Sequence, residues 1–541
     1  MKHTFSVLLL LFLAGGIFLF TSCKKKEVEY TPVEPDPRVN LQDDELPYYN
    51  EFWMQYIDDD KYLDQITFPG THDCAADKHT SDQGAAWRNV ICQDYYISNQ
   101  MNLGVRWFDV RLHLDQSNGV LTAYHWHYYL HKNFNDLLTA ALDFVQAHPT
   151  ETVIYMIKQE YSTVHDDDFA NAVAAYLYDR SPDLSAFYVS EEMPQLCEVR
   201  GKVVIMRRYH KSGPSVPGGI WLYWDNNTSG EYINNCGYPL WVQDHWSMYS
   251  VDYSTKIDEI KSGIEKANTT TENRLFINYV SGEKNGKTFL IEVAEHLNSP
   301  IEVYLKDNPS YQTCGALMIN FAGGGDPSDG GSRTAAPNLV QTIINMNDLG
   351  MEEVTIGSQV WMKKNLNAVM IPGYIFPEVE DCHSWLNSTA GAWRRYSSED
   401  PCLGNFGGRL YNWNAAQQAY PLTACPPGFH VPTDDDWNTL VAHLGGPEVA
   451  GGKMKEAGTD HWESPNTGAT NESGFTALGR GYWGWGESIG LNRATLFYTY
   501  SPANDSVIFR ALCDTSRRIF RIADTARTYY GASIRCVRNS K

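Results

Sequence analysis

Six short apolar runs punctuate residues 48–347: DQITFPG (64–70), GVRWFDVRL (104–112), TVIYMIKQ (152–159), KVVIMRRY (202–209), RLFINYV (274–280) and GALMINFA (315–322). Each reads as a strand bounded by turn or helical sequence. Between the second and third runs lies FNDLLTAALDFVQAHP. Its residues Phe134, Leu137, Leu138, Ala141, Leu142 and Val145 recur at helical spacing, and Pro149 stops the helix. Strand–helix alternation on this scale predicts an α/β barrel or sheet. The stretch Gly323–Pro337 is rich in Gly, Ser and Pro and reads as a loop, followed by a closing helix in LVQTIINMN. After Gly350 the texture shifts to short strands, many Trp and Gly, and frequent turns. The pattern therefore divides the chain into an α/β domain over 48–350 and a second domain over 351–541.

The N-terminus carries a different pattern. Lys2 precedes an apolar run from Phe5 to Phe20, and Thr21–Ser22–Cys23 leads into three lysines. This is the layout of a secretory signal peptide. Small residues directly before Cys23 resemble a bacterial lipobox, which implies cleavage of residues 1–22 and lipid attachment at Cys23. The alternative is an uncleaved membrane anchor. Residues 23–47 are charged, Pro-bearing and aperiodic, and read as a tether. Both readings place the remainder outside the cytoplasm. The lipobox reading puts it on a bacterial outer membrane or cell surface.

Composition narrows the partners. The 541 residues carry Lys+Arg 43 against Asp+Glu 65, a net charge of −22. That balance argues against nucleic acid and against electrostatic grip on anionic membranes. Hydrophobic content of 43% supports sizeable cores, and 13% aromatics favour ligand platforms. Removing Cys23 leaves ten cysteines with no CxxC pair, so a zinc knuckle is disfavoured. Cys425 with Cys536, and Cys382 with Cys402, are candidate disulfides, although connectivity does not follow from sequence.

Candidate chemistry lies in the first domain. ITFPGTHDC places His72 and Asp73 at the C-terminal end of a strand, where barrel catalytic groups sit. GVRWFDVRL places Asp109 and Arg111 two apart, so both point to one face. TAYHWHYYLH adds His125, His127 and His131, of which the latter two read as surface residues. Two histidines near a carboxylate–guanidinium pair supply acid, base and charge for a phosphodiester. Each piece alone is as readily structural as functional.

Together, in this order, they resemble the catalytic domain of bacterial phosphatidylinositol-specific phospholipase C. The matching motifs are PGTHD (69–73), GVRWFDVR (104–111), YHW (124–126), HPTETVIYMIKQEY (148–161), RGKVVIMRRY (200–209) and WVQDHW (241–246). The resemblance implies a distorted TIM-like barrel. It also implies attack of the inositol 2-hydroxyl on phosphorus, giving diacylglycerol and inositol 1,2-cyclic phosphate. By motif, His72 is the general base, His125 the general acid oriented by Asp73, and Arg111, buttressed by Asp109, the phosphate stabiliser. Arg111 stands where eukaryotic relatives hold calcium, which implies a metal-independent enzyme with no cofactor. Lys158, Arg208 and Asp244 match inositol-binding residues, with Glu160 beside Lys158 on the same strand face. Trp246 stands where the family commonly has a stacking Tyr. The family's Asp beside the base is replaced by Asn320, which orients imidazole without charge. That departure leaves three readings: a slower enzyme, a substitute such as Asp326, or a barrel that binds inositol lipids or glycans without turnover. A metal-dependent glycerophosphodiesterase is disfavoured, because no Glu-x-Asp cluster follows His72. Trp87, Trp126 and Tyr128 are candidate membrane contacts. The substrates implied are phosphatidylinositol or glycosylphosphatidylinositol anchors.

Residues 353–541 contain EVTIGSQVWMKKNLN, GRLYNWNAA, CPPGFHVPTDDDWNTL and GASIRCVR. They resemble the Fibrobacter succinogenes major paralogous domain, which implies an α+β C-type-lectin-like fold and, by analogy alone, glycan or surface-protein binding. Asp434, Asp435 and Asp436 suggest calcium at first sight. VPTDDDW reads better as a helix start capped by Thr433 or Asp434.

Overall fold

The computed structural model describes residues 47–78, 89–213, 216–232, 238–284, 289–323, 338–347, 352–371, 374–396, 407–417, 425–426, 428–501, 506–525 and 529–539. Cys23, Trp87, Asp326 and Cys402 lie outside these residues. The six apolar runs supply strands of one curled sheet. Its strands are β1 (Phe68–Thr71), β2 (Trp107–Asp115), β3 (Val120–His125), β4 (Tyr128–Asn133), β5 (Val153–Gln159), β6 (Phe187–Tyr188), β7 (Val203–Arg207), β8 (Ile220–Trp221), β9 (Thr228–Tyr232), β10 (Leu240–Asp244), β11 (Leu275–Val280) and β12 (Ala316–Ile319). The parallel sequence β7–β5–β2–β1–β12–β11–β10 forms the wall. Strand β8 adds parallel to β7, and β9 adds antiparallel to β10. The open side is bridged by the Tyr238 N–H, which donates to the Trp221 carbonyl at 2.7 Å. This is an α/β fold, a distorted TIM-like barrel, followed by a β-rich C-terminal region.

The local sequence explains why the wall closes so tightly. Strands β7, β11 and β12 are buried along their whole length, as near-continuous apolar runs predict for parallel strands covered on both faces. Gly70 sits between β12 and β2, and a Cβ there would meet the Met318 sulfur at 2.5 Å. The predicted helix spans Phe134–Ala147, capped by Asn133 and Asp136 in a capping box. It buries Phe134, Leu137, Leu138, Ala141, Phe144 and Val145. Phe144 thus takes the inward place expected of Leu142, and its ring stacks on His148 at 4.3 Å. The closing helix spans Leu339–Asn345. Just beyond it, the Asn347 side chain bonds both the N–H and the carbonyl of Thr67, at 2.8 and 2.9 Å, and so ties back to the start of β1.

At the N-terminal end of the strands a buried pair seals the barrel floor. Arg106 donates to Glu151 at 3.0 and 2.8 Å and to the carbonyls of Met101, Val105, Asn50 and Glu51. With every donor occupied, this buried cation is compensated.

In the C-terminal region, a four-stranded sheet joins Glu353–Ile356, Gln359–Met362, Val537–Arg538 and Phe429–His430, and a three-stranded sheet joins Ala494–Thr499, Val507–Cys513 and Phe520–Asp524. Trp361, Trp437, Phe475 and Phe497 fill its core. Cys425 and Cys536 are bonded, as expected. Cys382 is a free thiol, which corrects the pairing proposed for it with Cys402. The two regions meet directly. Lys364 pairs with Asp58 at 2.7 Å, and the buried Gln55 carbonyl accepts the Val369 N–H at 3.0 Å. A cavity of about 290 Å³ lies between them, lined in part by Arg200, Phe376, Trp393 and Arg409.

Candidate active site

The C-terminal ends of the strands bring most of the predicted residues to one mouth. His72 follows β1, and its Nδ1–H donates to the Asn320 side-chain oxygen at 2.9 Å. Asn320 follows β12, which pairs directly with β1. That hydrogen bond leaves His72 Nε2 as the free, basic nitrogen. His125 ends β3, and its Nδ1–H donates to the Val90 carbonyl at 2.7 Å, so its Nε2 is also the free nitrogen. The two imidazoles stand edge to face with centroids 6.2 Å apart. Each of the three is followed by a non-glycine residue in the left-handed region: Asp73 (φ 42°), Trp126 (φ 54°) and Phe321 (φ 53°). Strain of this kind is held where the surrounding structure over-determines a functional geometry.

Charge surrounds the two rings. Arg111 donates to Asp109 Oδ2 through Nε and Nη2, at 3.0 and 2.9 Å, which fixes the fork. Arg111 Nη1 and His125 Nε2 each lie 3.8 Å from Asp73 Oδ2. Burial would raise the Asp109 carboxyl, but Arg111 and then His72 outweigh it and bring it to about 2. Asp73 has no hydrogen bond on either carboxylate oxygen among the described residues. Burial, aided by Asp109, pushes it well above the ordinary carboxylate range. Burial and then Arg111 hold His72 well below its usual value and bring His125 to about 4. The mouth therefore presents two neutral imidazoles beside a fixed guanidinium.

The second group of predicted residues forms a polar rim. Lys158 donates to Glu160 at 2.8 Å at the end of β5. Arg208 lies 3.9 Å from Asp244 and stacks on the Trp224 ring with its guanidinium carbon 3.5 Å from the centroid. Trp246 is half-buried two residues past Asp244, its indole N–H bonded to Asn226 at 3.1 Å.

The sequence did not single out four further residues. Tyr279, on β11, is buried with its ring 5.9 Å from His72 and its hydroxyl without a hydrogen bond among the described residues. Trp224 donates to Asp244 at 2.9 Å and so orders the Arg208–Asp244 pair. Gln93 donates to the carbonyls of His72 and Ile319, both at 2.9 Å, bracing the base from behind. Cys92 Sγ lies 3.9 Å from His125 Nδ1. Only Tyr279 left a usable signal, its place near the C-terminal end of a barrel strand.

Comparison with known proteins relates both regions of the chain to described families. The profile of the phosphatidylinositol-specific phospholipase C X domain matches residues 66–209. That of the Fibrobacter succinogenes major domain matches residues 354–538. The chain is 30% identical over 290 residues to a 1-phosphatidylinositol phosphodiesterase of Staphylococcus aureus, covering 52% of this chain and 91% of the relative. A 1-phosphatidylinositol phosphodiesterase of Listeria monocytogenes is 26% identical over 280 residues, covering 50% and 80%. Among solved structures, a mutant of the S. aureus phosphatidylinositol-specific phospholipase C aligns with 56% of this chain and all of its own, at 28% identity and a TM-score of 0.49. The L. monocytogenes enzyme aligns with 55% of this chain and 98% of its own, at 21% identity and a TM-score of 0.44. Through its barrel, the chain belongs to the bacterial phosphatidylinositol-specific phospholipase C family.

Proposed function

We propose that the chain is a phosphatidylinositol-specific phospholipase C that releases diacylglycerol and inositol 1,2-cyclic phosphate without a metal ion. The observation that carries this reading is the pair of imidazoles 6.2 Å apart, each with Nδ1 engaged and Nε2 free, astride a fixed guanidinium. His72 Nε2 takes the proton of the inositol 2-hydroxyl, and that oxygen forms the new bond to phosphorus. Arg111, anchored to Asp109 by Nε and Nη2, has Nη1 left to meet the charge that builds on the phosphorane. The bond to the diacylglycerol oxygen breaks as that oxygen receives a proton from the His125–Asp73 pair. The high Asp73 and low His125 values favour the proton on the carboxyl. A phosphodiester anion beside Arg111 offsets the guanidinium and favours its movement to His125.

Lys158, Glu160, Arg208 and Asp244 present alternating charge to the ring hydroxyls, with Trp246 as the aromatic wall. Free phosphatidylinositol is the substrate we favour over glycosylphosphatidylinositol anchors, because these groups address the ring and its phosphate. Attachment through Cys23 places the barrel at an extracytoplasmic membrane surface. The C-terminal region is read as accessory, with glycan or surface-protein binding resting on fold analogy. Asn320 favours one rival, a barrel that binds inositol lipid without turnover. Turnover assays with EDTA test the main reading: undiminished activity is expected, and strong inhibition contradicts the role given to Arg111. Cys23→Ala should move the protein from the membrane to the soluble fraction, and unchanged partition would contradict the anchor.

A further inference from the structure

Cys92 has no part in the chemistry above, yet it is buried against the acid. We infer that Asp73, Cys92 and His125 form an inhibitory site for a soft divalent metal ion of the zinc and cadmium class. One ligand atom from each residue lies within 4.8 Å of the other two. Asp73 Oδ2 and His125 Nε2 are already 3.8 Å apart. Bonds of about 2.0–2.3 Å in a tetrahedral site hold ligand atoms about 3.3–3.8 Å apart. Oδ2 and Nε2 therefore need little movement to share a metal, while Cys92 Sγ, 3.9 Å from Nδ1 of the same ring, swings towards Nε2 to complete the site.

Three features point to a ligand here. First, both carboxylate oxygens of fully buried Asp73 lack a hydrogen bond among the described residues, and a cation supplies the missing partner. Second, the His125 Nδ1–H is bonded to the Val90 carbonyl at 2.7 Å. A backbone carbonyl on one ring nitrogen is the support that metal-ligating histidines have, and it directs the other nitrogen to the metal. Third, carboxylate, imidazole and thiol together suit zinc-class ions and not magnesium or calcium, which prefer oxygen alone. On binding, the Cys92 S–H bond and the Asp73 O–H bond both ionise, the two protons leave to solvent, and the sulfur and carboxylate oxygen donate their pairs to the metal. Water or a substrate oxygen completes the fourth position. The consequence for turnover rests on the proposed function: the metal occupies His125 Nε2 and Asp73, so the leaving oxygen receives no proton.

The test is a cadmium titration of the full-length protein, read both by thiolate-to-cadmium charge-transfer absorption and by phosphatidylinositol turnover. The wild type should develop a band that saturates at a single equivalent while turnover falls in parallel. Cys92→Ser and Cys92→Ala should lose that band and need roughly ten-fold more cadmium for half inhibition. Cys382→Ser and Cys513→Ser should keep both effects. Near-ultraviolet circular dichroism checks that each variant is folded. A band of unchanged size in folded Cys92→Ser, or full turnover in wild type at saturation, would overturn the site. Should the protein turn over no phosphatidylinositol at all, the proposed function fails while the band still decides the metal site.

Discussion

Asn320 holds the base in the required tautomer but brings no charge to the imidazolium that forms during catalysis. Its Nδ2 is buried without a hydrogen bond among the described residues, so nothing there depends on the amide hydrogens. Asn320→Asp should therefore preserve or raise kcat, measured on phosphatidylinositol. Asn320→Leu should lower it roughly 100-fold, the lower range of what a positioned base contributes. A large loss in Asn320→Asp would show that the residue has another role. Arg111→Lys removes the fork that grips Asp109 and should lower kcat/KM by about 10²–10³. Retention of full activity would mean that a point charge suffices. His72, Asp109, Arg111 and His125 were legible in the sequence because motif and strand parity place them on one mouth. Gln93 and Cys92 were not, because they act through backbone carbonyls or a neighbouring ring, and such contacts leave no spacing signature.

Among the elements, the apolar runs announced themselves as strands because parallel strands are buried on both faces. Less legible was the β3–β4 hairpin that delivers His125: its buried and more exposed positions alternate in the fold, but VLTAYH and YYLHKN carry no matching apolar–polar alternation. The helix Asp434–His443 was read from its cap, and the cap is there: the Thr433 hydroxyl accepts the Asp436 N–H at 3.2 Å, and the Asp436 carboxylate accepts the Thr433 N–H at 2.8 Å. Asp434 is engaged by Arg510 and Arg521, at 2.6 and 2.9 Å. The same cap carries a pH signature. The hydrogen bond to Asp436 raises His430 above 6.5, against burial. Asp436 is lowered, its bonds to His430 and Thr433 outweighing burial. The His430 contribution is present below its unfolded value and fades as pH rises through the folded one. The Asp436 contribution is present above its unfolded value and fades as pH falls. The pair thus stabilises most between about pH 4 and 6.5. His430→Gln should lower the Tm more at about pH 5.5 than at about pH 8.5, and an equal loss at both would contradict the pairing.

On the scale of the whole molecule, the two regions share an interface that the sequence could not disclose, since its contacts join segments some three hundred positions apart. Gln55 is fully buried and satisfies the Val369 N–H. Gln55→Ala should cost about 1–3 kcal/mol in denaturant unfolding, the penalty for an orphaned buried donor. A change within a few tenths would show that the interface contributes little. The net charge of −22 takes on a local meaning here. At the mouth Arg111, Lys158 and Arg208 each stand beside a carboxylate, Asp109, Glu160 and Asp244, so fixed charge pairs face the phosphate and sugar ring. The most direct test is phosphorus NMR of the purified protein with phosphatidylinositol vesicles. We expect the signal of inositol 1,2-cyclic phosphate, lost in both His72→Ala and His125→Ala. Its absence from wild type, or its persistence in either variant, would contradict the two-histidine mechanism.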